Sequence, residues 1–88
     1  MLSDVNFRCR VCGFLTIDPP WGDDGRSPLY EFCPCCGVEH GYQDATPAGA
    51  RRFRRDWIAA GGKWDEPSLK PEGWDLAEQL SHVAKEFL

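Results

Sequence analysis

Apolar residues follow two different rhythms along this chain, and the change comes near residue 46. Before that point they sit in short β-branched and aromatic runs broken by Gly and Pro. Val5-Asn6-Phe7-Arg8, Gly13-Phe14-Leu15-Thr16-Ile17 and Leu29-Tyr30-Glu31-Phe32 each read as a short strand. The stretch from Asp18 to Pro28, with Pro19, Pro20, Gly22 and Gly25, reads as a loop. After residue 46 the spacing turns helical. Thr46 is placed to cap a helix with Pro47 at its first position, and Ala50, Phe53, Trp57 and Ile58 fall on one face. Gly61-Gly62 ends that helix. A connector with Trp64 and Pro67 leads to Asp75 and Glu78, which have the spacing of a capping box. Leu76, Leu80, Val83 and Phe87 then share one face of a last helix.

The strands flank two short cysteine turns, Cys9-Arg-Val-Cys12-Gly13 and Cys33-Pro34-Cys35-Cys36-Gly37. Such C-x-x-C pairs bring four thiolates together around a tetrahedral ion, Zn²⁺ foremost and Fe as the alternative. The turn aims backbone N–H groups at sulfur, and the Gly after each pair suits a backbone with positive φ. The expected ligands are Cys9, Cys12, Cys33 and Cys36. Cys35 lies inside the second turn, either as a small filler or as a reactive thiol. His40, four residues past Cys36, is close enough to support the site from outside, and His82 reads as a surface residue. Glu31, Glu39 and Asp44 read as a solvated acidic surface.

With 88 residues the chain is expected to form one domain over residues 1–88, a metal-binding part at 1–45 and a helical extension at 46–88 packed on it. A core this small makes a metal staple physically expected. The opening residues lack the pattern of a secretory leader, and no stretch matches a membrane span. A reducing, cytoplasmic setting is therefore expected, where cysteines favour metal over disulfides. Five cysteines, an odd number, agree with that. The predicted fold class is α+β: a zinc ribbon with a small antiparallel sheet and two C-terminal helices.

The formal charge of −4 lies in residues 1–46, with three Lys/Arg against seven Asp/Glu, while residues 47–88 balance at seven against seven. The acidic half disfavours a nucleic-acid backbone. Arg51, Arg52, Arg54 and Arg55 form the one basic cluster, and nucleic acid would contact the chain there if anywhere. Docking of that helix on the acidic half is the competing expectation. A protein partner is expected to contact either the Pro- and Gly-rich loop, with Trp21 as its anchor, or the C-terminal helices, including Arg51, Arg52, Arg54 and Arg55. Four thiolates leave no coordination position for water, and no catalytic motif appears elsewhere, so the expected role is non-enzymatic protein interaction.

The string Cys9-x-x-Cys12-Gly13-Phe14-Leu15-Thr16, Pro19-Pro20, Tyr30-Glu31-Phe32-Cys33-Pro34-Cys35-Cys36 and Tyr42-Gln43-Asp44 resembles the bacterial cysteine-rich CPCC-type small proteins. The resemblance spans roughly residues 7–44 and extends to the tail around Trp57, Trp64 and Trp74. In that family the C-P-C-C string often stands at the first pair, whereas here it stands at the second. The resemblance implies a cytoplasmic zinc ribbon and, through relatives near toxin–immunity genes, an immunity role. The two turns also resemble rubredoxin, which implies iron and electron transfer. Here, however, the spacer is shorter and a long tail follows.

Overall fold

The computed structural model describes residues 4–88. Met1, Leu2 and Ser3, part of the opening stretch read for a leader, lie outside the described residues. The cysteine turns form as two copies of one backbone design. In the first, Cys9 N–H donates to Phe14 O (2.9 Å) and Gly13 N–H to Cys9 O (3.0 Å). In the second, Cys33 N–H donates to Val38 O and Gly37 N–H to Cys33 O, both at 2.9 Å. A further bond closes each limb, Thr16 N–H to Phe7 O in one and His40 N–H to Glu31 O in the other.

The expected α+β zinc-ribbon fold is not what these turns build. Among the described residues there is no strand and no sheet; each turn ends in a single antiparallel bridge, Arg8 with Leu15 and Phe32 with Glu39. The reasons are local. Val5–Phe7 coils into a 3₁₀ turn, with Phe7 N–H on Asp4 O, so the first strand has no beginning. Tyr30 sits at φ 57°, a left-handed conformation that breaks the extended run before the second turn. Over the described residues the structure is instead two cysteine turns joined to two helices and three 3₁₀ turns.

Helix α1 spans Pro47–Ala59 and starts as the sequence predicts: Thr46 accepts from Gly49 N–H and Pro47 is the first helical residue. Ala50 and Trp57 face the core, but Ile58 remains 40% exposed. Helix α2, Leu76–Leu80, is much shorter than its apolar pattern implies. Asp75 makes no side-chain cap bond, and Glu78 pairs with His82 (3.0 Å) instead of reaching back. The backbone turns extended at Ala84, and the last 3₁₀ turn, Lys85–Phe87, carries Phe87 into the core against α1. Val83 and Phe87 are therefore buried as the periodicity requires, but not by one continuous helix.

The core is largely cysteine. Cys9, Val11, Cys12, Cys33, Cys35 and Val38 have no exposed surface, and Trp57, Trp64, Val83 and Phe87 close around them. Trp64 stacks edge-on with Phe14 (5.7 Å) and with Trp74 (5.5 Å), fastening the connector to the first turn. Asp65 N–H on Cys35 O and Glu66 N–H on Pro34 O fasten the same connector to the second turn.

The two glycines that follow the cysteine pairs carry φ of 84° (Gly13) and 82° (Gly37), but their surroundings differ. A Cβ on Gly13 would run into the Gln79 carbonyl oxygen of α2, whereas one on Gly37 would meet only the flexible Asp65 side chain at 3.3 Å. Both substitutions by Ala incur backbone strain of about 1–2 kcal/mol. Only Gly13→Ala also pushes a helix away, adding about 1–3 kcal/mol. Urea denaturation should rank Gly13→Ala clearly below Gly37→Ala; equal losses would mean that α2 does not rest on the first turn.

Candidate metal centre

The two turns face each other and bring Cys9, Cys12, Cys33 and Cys36 together. Their four Sγ atoms lie within 4.8 Å of one another, and all four residues are buried. Cys9 Sγ stands 3.8 Å from Cys36 Sγ, and Cys12 Sγ 3.6 Å from Cys33 Sγ. A tetrahedron with metal–sulfur bonds of about 2.3 Å has edges of about 3.8 Å, so these separations suit four thiolates around one ion. They are too long for disulfides, and all five cysteines are free thiols.

The electrostatics point the same way. Thiols packed this closely cannot all ionise unaided. Hydrogen bonds from Cys12, Cys36 and Cys9 drive the Cys33 thiol far below its usual value. Burial pushes Cys12 up, and burial with Cys33 and Cys9 outweighs a bond from Cys12 to push Cys36 up as well. Burial also opposes ionisation of Cys9, but its bonds to Cys12 and Cys36 bring it down to about 7. A divalent cation removes this conflict, since each thiolate then faces positive charge. The donor set fits a metal ion, and its chemistry admits zinc and iron alike.

Outside the sulfurs lies a layer of donors. Val11 N–H points at Cys9 Sγ (3.4 Å), and the carbonyl of that same peptide, Arg10 O, accepts from Arg54 Nη1 (3.4 Å). Arg54 also donates to Val11 O (3.0 Å) and to Phe87 O (2.7 Å). An α1 guanidinium thus polarises the first turn from behind, strengthening the N–H that meets sulfur. Gln79 of α2 donates to Cys12 O and to Cys35 Sγ, both at 3.2 Å, while its own carbonyl accepts from Trp74 Nε1 (2.8 Å). Cys35 lies outside the four-sulfur group, buried beneath Gln79.

On the opposite side, His40 and Asp44 form a buried pair. His40 Nδ1 lies 2.8 Å from Asp44 Oδ2, and Asp44 also accepts from Gly41 N–H (2.8 Å) and Trp21 Nε1 (3.0 Å). Nε2 of His40 is buried without a hydrogen-bond partner, and the imidazole interacts with the thiols of Cys33 and Cys9. Burial alone would lower the His40 pKa, but Asp44 and the two thiols raise it to about 11. Burial opposes ionisation of Asp44 too, yet His40, Gly41 and Trp21 hold its pKa below the usual value. Reading Asp44 as part of a solvated acidic surface is therefore wrong. Glu31 is exposed and Glu39 half-buried, but Asp44 has no exposed surface. The signal available in the sequence was the i, i+4 spacing of His40 and Asp44 directly after the second turn.

The other candidate residues are tied into the fold to different degrees. Trp21 is half-buried and bonded to Asp44, and the Arg10 guanidinium lies 3.9 Å from its ring centroid and 4.4 Å from that of Phe87. Arg54 serves the first turn, and Arg51 donates to Leu88 O (3.3 Å). Arg52 and Arg55 remain exposed, and Arg55 approaches its neighbour Asp56 at 3.8 Å. None of the four arginines of α1 joins the sulfur group. Among the described residues, no helix is long and apolar enough to cross a membrane.

Against known proteins, the uncharacterized protein YozI of Bacillus subtilis (strain 168) is 30% identical over 82 residues, covering 75% of this chain and 68% of that protein. The chain belongs to the YozI family. A second member-like sequence of the same organism, the uncharacterized protein YoaQ, is 27% identical over 81 residues, covering 75% of this chain and 69% of its own length. No family model matches the chain, and no solved structure matches it. Neither relative's name assigns an activity, so the YozI relationship supports an uncharacterised family and the chemistry must come from the site.

The His40–Asp44 pair gives stability a pH signature. With its pKa raised from 6.5 to about 11, His40 contributes fully below pH 6.5, and the contribution is lost as pH rises through about 11. With its pKa lowered from 3.8, Asp44 contributes fully above pH 3.8, and its share is lost as pH falls through the depressed value. Asp44→Asn breaks the charge pair and is expected to cost about 3–5 kcal/mol in urea denaturation near neutral pH. The gap from the parent should narrow toward both pH extremes. A loss that does not vary with pH would mean the pair is held by packing alone.

Proposed function

We propose that this protein is a non-enzymatic interaction module whose fold is held by one structural zinc ion on Cys9, Cys12, Cys33 and Cys36. The observation that carries the reading is the closed set of four buried sulfurs at tetrahedral separations. Four thiolates complete zinc's usual shell, leaving no position where water or substrate would be activated. Bound there, zinc supplies charge neutralisation and a cross-link between the two turns, and the protein's own residues hold the sulfurs in place. Zinc is the ion proposed because a closed four-cysteine shell is its usual structural site, with iron in the same shell as the alternative.

A protein is the partner that the rest of the surface suits. Nucleic acid is disfavoured because Arg51 and Arg54 of the basic cluster bond to backbone carbonyls within the fold. Several large apolar side chains are left on the surface instead, Ile17 at 93% exposure among them. Free thiols throughout the core suit a reducing compartment such as the cytoplasm.

Three results test the metal assignment. Elemental analysis of the purified, colourless protein should give one zinc per chain, retained by Cys35→Ser and lost on replacing any of the other four cysteines by Ser. A strong chelator should unfold the chain, because binding worth about 10–16 kcal/mol exceeds what so small a core supplies. A red, iron-loaded protein, or a folded and cooperative metal-free chain, would overturn the assignment. The interaction reading is tested by affinity capture from the native host: a stoichiometric protein partner is expected, and its absence under conditions where the gene is expressed counts against it.

A further inference from the structure

The two cysteine turns leave an apolar groove between their outgoing and incoming limbs. Its walls are Phe14, Ile17, Leu29, Phe32 and Leu69, and its volume is about 230 Å³. Ile17 is 93% exposed and Phe32 63%, with Leu29 and Leu69 also turned to solvent. These side chains are within reach of a core that buries mostly cysteine, yet they stand outside it. An open groove of this size falls below the roughly 300–1,000 Å³ of pockets that enclose small molecules. It suits the side chains of an extended polypeptide better.

The rim supplies the second observation. Asp18, Glu31 and Glu66 line the groove; no Lys or Arg does among the described residues, and the histidine there, His40, is buried with its charge paired to Asp44. All three acids are exposed. The half of the chain that supplies most of this surface also carries the whole formal charge of −4. An acidic rim around apolar walls selects a cationic, apolar occupant and repels acidic ones.

A second copy of this chain is a poor fit. Its one cluster of exposed cations is on α1, with Arg51, Arg52 and Arg55, and the large apolar side chain exposed on that helix is Ile58, at 40%. One such side chain does not fill walls built from five apolar residues.

We propose that this groove binds an extended segment of another protein, one with large apolar side chains flanked by Lys or Arg. The proposal deepens the interaction-module reading by naming the surface and the chemistry of the partner, and it rests on that reading.

The test is selection of short random peptides, displayed on phage, against the immobilised metal-loaded protein. Peptides that pair large apolar residues with Lys or Arg should be enriched, and their affinity should fall as salt is raised. The Ile17→Ser/Phe32→Ser variant, checked for unchanged metal content and melting, should bind them about tenfold or more weakly. Glu31→Lys/Glu66→Lys should shift the enriched set toward Asp and Glu. The proposal is overturned if no peptide is enriched, if the enriched peptides lack cations, or if the serine variant binds them as well as the parent does. It is also overturned if the parent self-associates in sedimentation and the serine variant does not. A host protein captured equally by the parent and the serine variant would sink the groove and leave the interaction-module reading standing. Absence of any host partner would sink that reading itself.

Discussion

Everything in this molecule depends on bringing four sulfur atoms to tetrahedral separation without letting their charges drive the turns apart. Sequence supplies the sulfurs cheaply, two at each C-x-x-C turn, and the backbone of each turn is self-consistent through its own hydrogen bonds. What local sequence does not supply is the force that presses one turn against the other. The electrostatic conflict among Cys9, Cys12, Cys33 and Cys36 opposes ionising all four thiols together, and a bound cation would remove that conflict. The remaining elements act as a clamp around this centre: Arg54 from α1 behind the first turn, Gln79 from α2 between the turns, and His40 with Asp44 on the far side.

This clamp explains the unusual division of apolar residues. A conventional small domain buries its Ile, Leu and Phe. Here the centre is taken up by cysteines with Val11 and Val38, and Trp57 and Trp64 are buried with them. Ile17, Phe32 and Tyr42 are left outside. A metal holding the centre, as proposed, would free such residues from the duty of folding the chain and leave their surface placement available for recognition.

The parts of the structure legible in the sequence are those decided within a few residues. The cysteine turns, the positive φ of Gly13 and Gly37, and the Thr46–Pro47 start of α1 all belong to that class. The connector tryptophans Trp64 and Trp74 close on each other edge-on, a contact that depends on partners ten residues apart. What failed depended on partners distant in sequence or on one residue's backbone. The strand run before Cys33 has good β-formers, but Tyr30 adopts a left-handed conformation with its ring against Gly41, and pairing stops at one bridge. The last helix has the right periodicity, but it ends at Leu80 so that Phe87 can be carried under Arg10. Asp44 looked like a surface acid because nothing near it in sequence announces that Trp21 donates to it from the other side of the second turn. Membership of the YozI family does not fill these gaps, since that relationship shows kinship and no chemistry.

The central claim is that a single zinc ion is held by four thiolates, with His40 beside the site and not in it. X-ray absorption at the zinc edge of the purified protein tests this directly. The account predicts four sulfur scatterers at about 2.3 Å and no nitrogen or oxygen in the first shell. A shell of three sulfurs with one nitrogen at about 2.0–2.1 Å would contradict it by putting His40 in place of a cysteine, and a protein that retains no zinc would contradict it altogether.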